Sequence, residues 1–202
     1  LRLEAGDEGP ETGVGQDEEE LQEVLVHRMA LFSRDQWVLE LDPYVTQVFV
    51  LLTGDVRRGG ITVPNPSDPE GFVAIEYEDF RPRIVPRIGA EGQVEIEVTV
   101  QITSRILEIR GRYDLRTMGF DPIDRTLESV FTSQAEDIIE MLQQEGIDAL
   151  GFGQAIRRKN RKIWNELEPR WDELFPQVPV SVTVRSNTIS AGLLTKHIET
   201  IR

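Results

Sequence analysis

From Val94 to Ile102 the chain alternates without a break: Val94, Ile96, Val98, Val100 and Ile102 are separated by Glu95, Glu97, Thr99 and Gln101. A helix cannot use this pattern, because its side chains return to one face every 3.6 residues or so, whereas a strand sends successive side chains to opposite faces. The run predicts a strand with one face buried and one in water. Such alternation belongs to a sheet covered on a single side, the usual condition of antiparallel sheets.

The neighbouring segments extend that sheet. Gly89-Ala90-Glu91-Gly92 predicts a hairpin turn, and Phe72–Ile88 alternates Val73, Ile75 and Tyr77 with Glu76 and Glu78. Pro82 and Pro86 interrupt it, so this strand is expected to be bent, bulged or at an edge. Upstream, Val24, Val26, Met29 and Leu31 predict a strand running to Phe32. Ser33–Gln36 is a polar turn, and Trp37, Leu39 and Leu41 alternate in a returning strand. Asp42-Pro43 reads as a helix start, since aspartate caps free amides and proline fits the first helical position. Val45, Val48, Phe49 and Leu52 form its apolar stripe, and Gly54 is its stop. Gly59-Gly60 then precedes a short strand, Ile61–Val63, and a loop marked by Pro64, Pro66, Pro69 and Gly71.

The second half is helical. Asp121-Pro122 repeats the cap-and-proline signal, and Ile123, Leu127, Val130, Phe131, Ile138, Met141 and Leu142 hold a helical stripe up to Gly146. Asp148 is expected to cap a short helix from Ala149 to about Arg158. A third helix, from about Arg161 to Leu174, carries Ile163, Trp164, Leu167, Trp171 and Leu174 on one face, with a kink or restart at Pro169. Strands at Val178–Arg185 and at about Thr188 to Ile198, joined by a turn at Ser186-Asn187, close the chain. The order predicts an α+β fold: an antiparallel β-sheet with helices packed on one face.

Charge and composition narrow the function. The 202 residues fit one domain, with or without a flexible segment. A net charge of −14 argues against nucleic acid as partner. There is no cysteine, and the two histidines, His27 and His197, stand far apart in sequence, so no metal site is expected. Residues 1–23 hold nine acids against Arg2, a net −8, which leaves −6 for the rest of the chain. With five small turn-formers (Gly6, Gly9, Pro10, Gly13 and Gly15) and little to bury, residues 1–22 are expected to be an acidic flexible linker. Residues 23–202 are expected to form the folded domain. No apolar run approaches the roughly 20 residues of a membrane span. The absence of an initiator methionine leads us to expect a piece of a longer protein.

No catalytic constellation stands out. The glutamates of the alternating strand are its wet face, and no nucleophile has a recognisable base. Gly151-Phe152-Gly153 lacks the third glycine of a dinucleotide loop and follows a helix, and no Gly-Lys-Ser/Thr of a phosphate loop is present. No catalytic, cofactor-binding or metal residue is therefore expected. Trp164 and Trp171, at helical spacing, read as core. Arg157, Arg158, Lys159, Arg161 and Lys162 are candidates for contact with anionic lipid or an acidic partner surface. Five bases in six positions must face more than one direction.

Asp148, Gly151-Phe152-Gly153, Trp164, Trp171 and Phe175, followed by the valine-rich strand Val178–Val184 and by Ile189-Ser190-Ala191-Gly192, resemble the C-terminal signature of the Ger(x)C spore-germination family. Met29–Val38 resembles the family's hairpin, and Leu51–Gly54 and Gly60–Val63 fit as well. The likeness runs from about Glu23 to His197. It implies the third, C-terminal domain of a germinant-receptor C subunit, with residues 1–22 as the remnant of the connection from the preceding domain. Asp148, Phe152, Gly153, Trp164, Trp171, Phe175 and Gly192 would be structural signature residues. The family consists of lipid-anchored, non-catalytic subunits on the outer face of the spore inner membrane, working with the membrane-embedded A and B subunits. The signal peptide and lipid-modified cysteine are absent from this sequence, so anchoring is an expectation for the longer parent. The role expected here is that of a scaffold or signal-transmitting module; the alternative is a nutrient-binding module with a pocket between sheet and helices.

Overall fold

The computed structural model describes residues 28–33, 35–90 and 92–191. The acidic segment, Val24 and Val26 of the first predicted strand, both histidines, Gly192 and the end of the last predicted strand lie outside them.

The alternating run lies in β5 (Val94–Arg110), which continues eight residues past Ile102. Its Ile96, Val98, Val100, Ile102, Ser104 and Ile106 are buried, while the side chains between them are not. Before it come the hairpin of β1 (Met29–Ser33) and β2 (Gln36–Leu41), then α1 (Pro43–Thr53), β3 (Gly59–Asn65) and β4 (Asp68–Ile88). After it come α2 (Leu115–Met118), α3 (Asp121–Gln144), α4 (Phe152–Lys159), α5 (Arg161–Leu167), α6 (Trp171–Leu174) and β6 (Val180–Ala191). The fold is α+β. The main sheet has the order β3-β4-β5-β6, and β1-β2 forms a separate two-stranded sheet. β3, β4 and β5 are antiparallel in sequence, but β6 joins β5 in parallel, Ile96 opposite Val180 and Val100 opposite Val184. The helices form the crossover that a parallel pair requires.

Three local expectations are revised. The loop predicted over Pro64–Gly71 is a tight hairpin, because Asn65 supplies the turn from its side chain. Its Oδ1 accepts the Ser67 amide at 2.9 Å, and its Nδ2 donates to the carbonyls of Arg110 and Arg112 at 3.0 and 3.3 Å. The pair of terminal strands is a single strand. Ser186 and Asn187 do not turn, because α3 holds the chain straight: Glu128 accepts the Ser186 amide at 2.8 Å, and Asp124 accepts the Ser186 and Thr188 hydroxyls, both at 2.7 Å. Asp121 does not cap α3; Phe120 holds that position without a side-chain bond, and Asp121 is the first helical residue.

Several other signals act as read. Asp42 accepts the Tyr44 and Val45 amides at 2.8 and 3.0 Å, and Gly54 ends α1 at φ +81°. β4 is bulged at Ala74/Ile75 and at Tyr77/Asp79. β3 begins at Gly59 opposite Tyr77, so Pro82 and Pro86 lie where β4 has one strand neighbour, the position at which proline is tolerated. The core fills between the sheet and the helices. Phe80 of β4 meets Phe131 of α3 with ring centroids 5.0 Å apart, both 1% exposed. Burying one such ring stabilises the fold by about 1.5–3 kcal/mol.

Candidate functional site

Six of the expected signature residues, Asp148, Phe152, Gly153, Trp164, Trp171 and Phe175, converge on one largely buried node. Ala149 and Leu150 form a turn, so α4 begins at Phe152 and not at Ala149. Asp148 still anchors it: the carboxylate accepts the Phe152 and Gly153 amides, both at 2.7 Å, and the Trp171 indole Nε1 at 2.9 Å. One side chain thereby ties the start of α4 to α6. Trp164 and Trp171 meet edge to face with centroids 5.4 Å apart, and Trp171 and Phe152 each pack on Phe175 at 5.9 and 5.8 Å. Gly153 is the contact that lets them approach, since a Cβ there would stand 2.5 Å from Trp164 Cη2 and 3.0 Å from Trp171 Nε1. The break at Pro169 makes this geometry. A 3₁₀ turn at Glu168–Arg170 separates α5 from α6 and turns Trp171 back onto Trp164. These residues pack against one another; the Asp148 carboxylate takes the Trp171 indole N–H, while that of Trp164 is buried without a partner among the described residues.

The basic residues stand outside the node. α4 ends at Lys159, and Asn160, in an extended conformation, caps α5 by accepting the Lys162 and Ile163 amides at 3.1 and 3.2 Å. The two helices form an elbow with Arg157, Arg158, Lys159, Arg161 and Lys162 exposed around it. Among the described residues none of the five makes an ion pair, although the chain carries 36 acids against 22 lysines and arginines. Lys159 is engaged otherwise: its ammonium donates to the Pro86 carbonyl and pins the elbow to the edge of β4. The helix dipoles divide the rest. Arg157 and Arg158 occupy the last turn of α4, where cations are favourable; Arg161 and Lys162 occupy the first turn of α5, where they are not. The last two have no local structural reason to be basic.

Among the described residues nothing near the elbow assembles a reacting centre. Glu97, on the wet face of β5, pairs with Arg87 at 2.6 Å. Arg87, Gln93, Glu95 and Lys159 line an open depression of about 520 Å³ at the foot of the elbow. Among the described residues no three His, Cys, Asp or Glu side chains are grouped to hold a metal ion. No described helix is long and apolar enough to cross a membrane. Sequence reading missed the acceptors of α3, Asp124 and Glu128, because their partners lie about sixty residues away in β6.

Residues 27–192 match the family described as spore germination B3/GerAC like, C-terminal. Spore germination protein KC of Bacillus subtilis (strain 168) is 24% identical over 127 residues, which cover 60% of this chain and 30% of that protein. The crystal structure of the GerBC protein superposes with a TM-score of 0.66 at 15% identity, over 76% of this chain and 48% of that one. At that identity the superposition establishes the fold alone. The chain thus spans less than half the length of either relative.

Proposed function

The chain belongs to the spore germination B3/GerAC-like C-terminal family, and from that premise we propose that it is a non-catalytic domain of a germinant-receptor C subunit. It acts as a scaffold that transmits a nutrient signal through protein contacts. In the longer parent it is held at the outer face of the spore inner membrane by a lipid anchor and works with the A and B subunits. The observation that carries this reading is the division of labour around residue 160. Six signature residues are spent on packing, while Arg157, Arg158, Arg161 and Lys162 stay exposed and, among the described residues, without ion pairs. Such a surface offers recognition of an acidic partner or anionic lipid, without a reaction.

The test is made in spores carrying the full-length protein. Reversing Arg161 and Lys162 to glutamate should abolish nutrient germination and co-purification of the A and B subunits, with the C subunit still present at wild-type level. Normal germination would remove the elbow from the mechanism. Saturable thermal stabilisation of the isolated chain by one amino acid, sugar or nucleoside would replace the scaffold by a nutrient-binding module.

A further inference from the structure

β6 is the last strand of the main sheet, and among the described residues its outer edge is open over half its length. Ile96 of β5 takes its partner from the Pro179 carbonyl at 2.9 Å, so residue 179 and its alternates turn their backbone groups toward β5. Val180, Val182 and Val184 therefore turn theirs away from the sheet. The same parity is visible further along, where the outward amides of Ser186 and Thr188 are taken by Glu128 at 2.8 Å and by Asp124 at 3.3 Å. Helix α3 thus closes the edge at Ser186 and Thr188 and leaves it open at Val182 and Val184. No described strand lies beyond.

The open stretch is also the wall of a groove. Residues 182–185 line one side of a depression of about 570 Å³, and Ser129, Thr132, Ser133 and Glu136 of α3 line the other. Unpaired donors and acceptors along a strand edge are satisfied in full by one kind of occupant, the backbone of another strand. We infer that the β6 edge at Val182–Val184 is a docking site for an extended segment of a partner polypeptide, which adds to the sheet as a fifth strand. The hydroxyls of Ser129, Thr132 and Ser133, with Arg125 and Glu136, call for a polar segment whose helix-facing side chains are small or hydrogen-bonding. A second copy of this chain fits less well. Pairing two copies would bring together two chains that each carry a net charge of −14.

The test pans the chain against displayed random decapeptides and measures the enriched peptides by fluorescence anisotropy. N-methylation of one alternate set of amides in a bound peptide should weaken binding about tenfold or more, and methylation of the other set should not. Val182→Pro deletes an outward amide but no bond to β5, so it should leave the thermal midpoint near wild type and weaken the same peptides about fivefold. No enriched peptide sensitive to N-methylation, or unchanged affinity in a folded Val182→Pro variant, overturns the proposal. A concentration-dependent dimer that Val182→Pro dissolves would also overturn it, in favour of a second copy at the edge. If Val182→Pro does not fold, the methylated peptides alone decide.

Discussion

Gly153 and Trp164 are in contact at a distance that admits no side chain: a Cβ on Gly153 would stand 2.5 Å from Cη2 and 2.8 Å from Cζ3 of the indole. Trp164 is 8% exposed and is wedged against Trp171, so it has nowhere to retreat. Gly153→Ala is therefore an overpacking substitution and should cost about 1–3 kcal/mol. Urea unfolding of the isolated chain reads this directly. A gain in stability, as expected for alanine in an unconstrained helix, would show that the contact does not govern the position.

The carboxylate of Asp148 serves the same node through three donors. Asp148→Ala leaves two backbone amides and a buried indole N–H without an acceptor and should destabilise by roughly 3 kcal/mol. Asp148→Asn keeps one acceptor oxygen and should lose less. Tryptophan fluorescence adds an independent reading: the emission of the alanine variant should shift to the red as Trp171 gains water.

How much of this was legible in the sequence follows from the range of each signal. The alternation of Val94–Ile102, the Asp42-Pro43 start and the stops at Gly54 and Gly146 are local, and each forms as read. The convergence of Asp148, Phe152, Gly153, Trp164, Trp171 and Phe175 was legible only as a family pattern. Spacing alone marks two tryptophans as core but does not say that a glycine must lie between them. The strand direction of β6 was not legible. Val180–Ala191 looks like two short strands because Ser186-Asn187 carries turn residues, and what straightens it is a pair of carboxylates on α3. Residue type sets local preference, and distant partners override it.

That override is itself testable. Asp124→Ala removes the acceptor shared by the Ser186 hydroxyl, the Thr188 amide and the Thr188 hydroxyl. The loss should be about 2 kcal/mol, and hydrogen exchange at Thr188 should quicken well before that at Val98 in the sheet interior. Equal quickening at both sites would mean that the α3 acceptors stabilise the whole fold and have no particular hold on β6.

Acid should weaken the turn that joins β3 to β4. Asp68 accepts the Arg112 amide at 2.9 Å, and this bond, helped by one from Glu70, holds its carboxyl below the usual range. A depressed carboxylate contributes stability that is present above its unfolded value of about 3.9 and is lost as pH falls through its folded value. Asp114, lowered chiefly by the Thr117 hydroxyl, acts in the same direction. Asp68→Asn should therefore flatten the fall in urea midpoint between pH 5 and pH 2, judged against wild type under the same conditions. An unaltered slope would assign acid sensitivity to other carboxylates.

The elbow allows structure and function to be separated by sign. Arg157 and Arg158 sit in the last turn of α4, so their replacement by glutamate opposes the dipole and should lower stability by roughly 0.3–1 kcal/mol. Arg161 and Lys162 sit in the first turn of α5, so the same replacement there favours the dipole and should raise stability by a similar amount. If those two cations serve only the fold, a more stable variant should germinate as well as wild type. If they meet a partner or an anionic surface, the variant should be more stable and inactive together, a combination no folding defect can produce. Thermal unfolding of the isolated chain and germination of spores carrying the full protein read the two quantities separately. A variant that loses stability at Arg161 and Lys162 would refute the dipole argument on which their assignment rests.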